Sequence, residues 1–265
     1  MNIHVSPVAV LISLIISSVF SVTWAVKTPR LHEEPQSRII LGKPAEDGPF
    51  PFYVRIFGYG GPWSEFPLFI CGGSIIDPRW VLSAGHCYFE TTNASEPVTY
   101  HIEAGSVIAG QPRQSQIVMI KPFTFDKYVH PLRIALGSWD VESFVGEEMI
   151  GMGMGLTADN GSIADVLYWT KLTVIAKEDC QALYTEVESF DLPWTCFCAE
   201  DQKPPVSAIC QGDSGGPVVI MIKGKPVQIG LVSFTTDKGC AFLPQAFTDV
   251  AKLHDWITLT MAKNA

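Results

Sequence analysis

Short apolar runs rich in Val, Ile, Phe and Tyr recur along the chain between turn residues: PFYVRI, LFICGGSII, WVLSAG, VTYHIEA, QIVMI, VLYWTKLTVI, GPVVIMI and VQIGLVSF. Runs of this length with such composition predict strands, and their spacing predicts an all-β sandwich or barrel. Only two stretches carry a helical period. One covers Lys177 to Thr185. The other covers Val250 to Met261, where Val250, Leu253, Trp256, Ile257 and Thr260 fall on one face. Internal repeats and low-complexity tracts are absent from the sequence.

A different pattern occupies the start. The first 25 residues contain no Asp, Glu, Lys or Arg and run almost wholly apolar from Val5 to Val22, ending in Thr23-Trp24-Ala25 with small residues where a signal peptidase reads. This predicts a secretory signal over residues 1–25; a membrane anchor would ordinarily carry basic flanks, and only His4 precedes the run. No other segment of the sequence is long and apolar enough to span a bilayer.

Secretion changes how the seven cysteines read, because thiols pair in an oxidising compartment. None stands with histidines at zinc-finger spacing, and Cys196-Phe197-Cys198 is too tight for half a structural zinc site, so no metal is expected. An odd count leaves at least one thiol over. Asn93-Ala94-Ser95 and Asn160-Gly161-Ser162 have the form of glycosylation acceptors.

Two stretches carry chemistry. Cys210-Gln211-Gly212-Asp213-Ser214-Gly215-Gly216-Pro217 places a serine among glycines just before a predicted strand. A serine hydroxyl needs a base to take its proton, and the oxyanion that follows its attack needs backbone N–H donors, which a tight glycine turn can present. Trp80-Val81-Leu82-Ser83-Ala84-Gly85-His86-Cys87 offers the base: a histidine at the end of a strand, next to a cysteine that could pin it.

Together these stretches closely resemble the trypsin and chymotrypsin family of serine proteases, from about Arg38 to the end of the chain. The resemblance implies an all-β fold of two antiparallel six-stranded barrels with a C-terminal helix. It implies His86 and Ser214 as catalytic residues, with the N–H groups of Gly212 and Ser214 forming the oxyanion hole. Ser37-Arg38-Ile39-Ile40-Leu41-Gly42 resembles the family's activation junction. Residues 26–38 would then be a propeptide and 39–265 the protease domain, the freed amine of Ile39 pairing with Asp213. Leu41 stands where the family has glycine.

The same resemblance implies disulfides Cys71–Cys87, Cys180–Cys198 and Cys210–Cys240, leaving Cys196 as the free thiol. Met149 and Ile220 replace a further bridge, and Met154 stands at a common tryptophan position, so the MIGMGMG run is expected to be core. The specificity pocket would be formed by Ala208, Thr235 and Gln245. Without an acidic floor, and with two larger wall residues, this predicts a small aliphatic side chain before the cut.

The family's third catalytic residue is an aspartate in an N-D-I-A-L run. Leu132-Arg133-Ile134-Ala135-Leu136 has arginine there, but this alignment leaves too few residues before Gly153. The alternative matches Pro122 to Arg133 to the connection between barrels and places the loss between Gln111 and Pro122, so the first barrel is expected to be incomplete. Asp126 and Asp140 are the nearest substitutes by sequence, and the matched motif puts both in surface connections.

Beyond residue 38 the chain has 15 basic and 25 acidic residues, a net charge of about −10, which disfavours nucleic acid and anionic membranes as partners. The expectation is a secreted, monomeric serine endopeptidase without cofactor, meeting protein or peptide substrates, an activating protease and protein inhibitors. The other reading is a non-catalytic homologue acting as a binding or regulatory module.

Overall fold

The strands form two sheets, one built mainly from each half of the chain. A computed structural model describes residues 10–13, 39–60, 65–89, 99–117 and 122–264. For 10–13, 89, 116 and 117 only the backbone is described. Asn93 and Arg38 lie outside the described residues. The first half contains β1 (Val10–Ser13), β2 (Lys43–Pro44), β3 (Tyr53–Tyr59), β4 (Phe69–Asp77), β5 (Trp80–Ala84), α1 (His86–Phe89), β6 (Thr99–Ala104) and β7 (Gln114–Ile117). The second contains β8 (Arg133–Ile134), a 3-10 turn (Val141–Phe144), β9 (Glu148–Gly153), β10 (Tyr168–Ile175), α2 (Lys177–Glu188), β11 (Cys196–Glu200), β12 (Pro217–Ile222), β13 (Lys225–Phe234), β14 (Gln245–Asp249) and α3 (Val250–Lys263).

The second barrel closes. Its strands run β11-β14-β13-β12-β9-β10, and β10 pairs back onto β11 through Thr173 with Glu200 and Ile175 with Cys198. Its core holds Met149, Leu172, Phe197, Ile220 and Phe247. Met149 and Ile220 therefore fill with apolar volume the places where a bridge was expected to be missing. Met152 and Met154 lie in a neighbouring core cluster with Phe52 and Leu167.

The first sheet runs β1-β5-β4-β3-β6-β7. Five of these strands come from the protease region, and the sixth is contributed by the predicted leader. Val10 to Ser13 pair in parallel with Val81 to Ala84, one register partner each. All five residues of β5 are buried. Val81 and Ala84 face the first barrel's core, while Trp80 and Leu82 pack on Leu231, Val250 and Ile257 at the junction with the second barrel and α3.

The RIAL run does not line up beside β5. Arg133 and Ile134 form β8, which pairs in parallel with Val227 and Gln228 of β13, and the Ala135 N–H donates to the Gln228 carbonyl at 2.8 Å. Just before it, the His130 and Leu132 N–H groups donate to Pro51 and Ile75 of the first half. The segment thus crosses from one barrel to the other.

α3 departs from the expected face in one residue. Val250 and Ile257 are buried and Leu253 is partly so, but Trp256 is 42% exposed while Ala251 is buried. At about 100° per residue, Trp256 sits on the flank of a stripe centred near Val250 and Ile257. α2 runs to Glu188, three residues past its expected end, and closes with Ser189 in the left-handed region.

Candidate active site

His86 opens α1 directly after β5, and the Tyr88 N–H donates to the Gly85 carbonyl at 3.0 Å to close that turn. Cys71 of β4 and Cys87 of α1 are bonded, which ties the histidine's backbone to the strand behind it. A ring nitrogen of half-buried His86 lies within 4.8 Å of both sulfurs.

The serine loop docks onto the same strands. The Gly72 N–H of β4 donates to the Ser214 carbonyl at 2.8 Å, and Cys87 Sγ lies 3.7 Å from that oxygen. The loop then turns: the Gly216 N–H reaches the Asp213 carbonyl at 2.9 Å, and the Gly215 N–H reaches Val232 of β13 at 2.8 Å. Gly215 has φ +77°, and a Cβ there would lie 2.1 Å from Ser83 Oγ and 2.7 Å from the Gly72 carbonyl. Glycine is therefore required by both conformation and space. Among the described residues, no other group takes up the N–H of Gly212 or of Ser214. The structure thus carries histidine and serine on abutting elements where the two barrels meet.

Behind the serine, the Asp213 carboxylate is fully buried. Its oxygens accept the Gly155 N–H at 2.6 Å and the Cys210 N–H at 2.9 Å. Burial pushes its carboxyl up to about 7, against which the two N–H donors pull downward. The Ile39 side chain is also buried, in the second barrel's core, and Ile40 pairs with Ala208 through the Ala208 N–H to Ile40 carbonyl bond of 3.0 Å. Ile39 and Leu41 have φ of 44° and 58°. Leu41 thus adopts the left-handed conformation that glycine enters freely and other residues enter at a cost of about 1 kcal/mol.

Ala208 is wholly buried, packed with the Cys210–Cys240 bridge. The Thr235 hydroxyl faces the Gly239 and Cys240 carbonyls, at 3.4 and 3.3 Å. Gln245 is buried, donating through Nε2 to the Leu243 carbonyl while its Oε1 has no hydrogen-bond partner among the described residues. Cys180 bonds Cys198, and Cys196 is the buried free thiol, its pKa raised to about 11 chiefly by burial. Asn160 is exposed in a turn.

Asp126 and Asp140 are both spent on local turns. Asp126 Oδ1 accepts the Tyr128 and Val129 N–H groups at 2.7 and 2.8 Å, and Asp140 caps the 3-10 turn through the Glu142 N–H. Two groupings, Cys71 with His86 and Cys87, and Asp159 with Cys210 and Cys240, have metal-site proximity. In each the two sulfurs are bonded to one another and offer no thiolate. Among the described residues no helix is long and apolar enough to cross a membrane.

Known proteins resemble the chain in sequence. The chain is 28% identical over 249 residues to venom serine protease Bi-VSP of Bombus ignitus, covering 85% of this chain and 69% of that protein. It is 28% identical over 255 residues to Serine protease 1 of Drosophila melanogaster, covering 87% and 88%. To Serine protease SP24D of Anopheles gambiae it is 25% identical, covering 86% and 82%. The Trypsin family model matches residues 39–257, so the chain belongs to the trypsin family and is by family a serine-type endopeptidase.

Proposed function

We propose that the chain is a secreted serine endopeptidase that uses Ser214 as nucleophile and His86 as base, forms an acyl-enzyme, and is activated by cleavage after Arg38. The seating of the serine loop carries this reading: the Gly72 N–H donates to the Ser214 carbonyl, and no partner among the described residues takes the Gly212 and Ser214 N–H groups, which supports them as oxyanion donors. Cleavage would give Ile39 an ammonium to neutralise buried Asp213 and so set the serine loop that follows it in the chain. Secretion follows from the leader, and small aliphatic side chains before the cut follow from Ala208, Thr235 and Gln245.

Because no aspartate stands at the triad position of the sequence, this form is expected to turn over slowly. The use of Asp126 and Asp140 in local turns supports reading neither as a substitute for the triad acid. Neutralising that acid in a trypsin-type enzyme lowers turnover about 10⁴-fold, or about 5 kcal/mol of transition-state stabilisation. Pairing of leader residues Val10–Ser13 with β5 supports loss of a whole strand over a point change, because β5 has taken a partner from outside the protease region. Alternative splicing or a faulty gene assignment would produce such a loss.

The second reading, a non-catalytic homologue, accommodates the missing acid but gives no reason for the intact serine loop. Sequencing transcripts across codons 105 to 125 separates the two. An in-frame insert encoding a D-I-A-L-like strand is the expected result, and its absence from every transcript would sink the enzyme reading.

A further inference from the structure

Away from the serine loop, a cavity of about 230 Å³ opens on the outer side of the second barrel, where β2 and β11 both flank β10. One wall belongs to the activation segment, through Leu41 and Lys43, and the opposite wall is the loop after β11, through Asp201, Lys203 and Ser207. Trp169 of β10 lies between them, with Lys43 Nζ 5.5 Å from its ring centre. At the floor, the Thr170 and Ser207 hydroxyls are hydrogen-bonded to one another, and Ser207 Oγ donates to Asp201 Oδ2 at 2.7 Å.

The charges lining this cavity do not cancel. Glu148 is shared by Lys171 at 2.6 Å and Lys203 at 3.5 Å. Asp201 is occupied by the N–H and hydroxyl of Ser207 and by the Lys203 N–H. Three ammonium groups against two carboxylates leave one positive charge in a chain of net charge −9, and Lys43 is the ammonium set against an aromatic face instead of a carboxylate. An anion entering here exchanges water for an ammonium beside a low-dielectric wall.

We propose that this cavity binds a small monoanionic carboxylate with a compact apolar body, its carboxylate on Lys43 and its body against Trp169 and Leu41. The bound carboxylate bridges the activation segment to the loop after β11, next to the point where Ile40 pairs with Ala208. It therefore steadies that pairing, and through Ala208 the segment leading to the serine loop. The carboxylate could belong to a free acid or to a peptide C-terminus.

The test is independent of whether Ser214 acylates. Calorimetric titration of the uncut protein uses benzoate as the free acid, N-acetyl-alanyl-phenylalanine as the peptide end, and benzylamine as the cationic counterpart. Benzoate is expected to bind one to one with a Kd of about 10 mM or tighter, as its size allows. Benzylamine is expected not to bind. Lys43→Gln is expected to weaken benzoate about tenfold, and Lys225→Gln, on β13 outside the cavity, to leave it unchanged. Tighter binding of the peptide than of benzoate assigns the source to a peptide end; the reverse assigns it to a free acid. Hydrogen exchange at the Ala208 amide is expected to slow with benzoate in the parent and not in Lys43→Gln. Binding of benzylamine equal to benzoate, undiminished benzoate binding by Lys43→Gln, or no benzoate binding at all would overturn the proposal.

Discussion

At the residue scale, Asp213 makes stability depend on pH in a defined direction. Burial raises its carboxyl from 3.8 to about 7 in the uncut chain. The folded state therefore keeps a proton that the unfolded state releases between those values. The stability this gives is complete below the unfolded value and is lost as pH rises through the folded one, a change on the order of 4 kcal/mol. Asp249, raised in the same direction by burial, adds to the trend, while the stabilisation from Glu148 and Asp201, both lowered, is lost only as pH falls below their unfolded values, outside the range compared. Comparison with the Asp213→Asn variant isolates the residue: urea unfolding at pH 5 and pH 8 is expected to show a parent more stable at pH 5 and a variant that has lost most of that difference. A variant with the parent's full slope would mean that Asp213 is not the group responsible. Gly215 gives a second residue-level prediction. Gly215→Ala forces a side chain into the positive-φ region and onto Ser83 and the Gly72 carbonyl. It is expected to destabilise by about 2–4 kcal/mol, seen as a lower urea midpoint, and to abolish labelling of Ser214 by a fluorophosphonate.

At the element scale, β5 is the exposed point of the design. Its outer edge is paired with Val10–Ser13, so cutting away residues 1–25 leaves a buried, apolar strand with an open row of N–H and C=O groups. Amide exchange over Trp80–Ala84 is expected to be slow in the full chain and at least about 100-fold faster in a chain beginning at residue 26, with aggregation that rises with concentration. Equal protection in the two would show that β1 contributes nothing to β5. The sequence made most strands legible, because β3, β4, β12 and β13 alternate or run apolar between turns. It concealed β11 and β14: CFCAE and QAFTD lie in the closed barrel with nearly every residue buried, and their polar residues interrupt any simple pattern. It also could not reveal β1. An apolar leader reads as a targeting signal, and its pairing depends on which strand elsewhere lacks a neighbour.

At the scale of the whole molecule, two barrels carry histidine and serine to their common boundary, and membership of the trypsin family rests on residues 39–257. The site residues were recognisable because their motifs are contiguous: the strand before His86 and the glycines around Ser214 each fit in eight residues. The fate of the acid was harder to read. RIAL mimics the expected run; its spacing to Gly153 argues against that likeness, and the path of Arg133 along β13 agrees. The serine loop is seated against the strands that lead to His86, and Asp126 and Asp140 are each engaged in local turns.

Fluorophosphonate labelling of Ser214 after cleavage at Arg38 tests this directly, comparing the chain as it stands with one carrying a D-I-A-L strand inserted between residues 117 and 122. The account predicts rapid labelling with the insert and labelling slower by up to about 10⁴-fold without it. Equal rates would show that another group already orients His86, and would contradict the claim that this form lacks its catalytic acid.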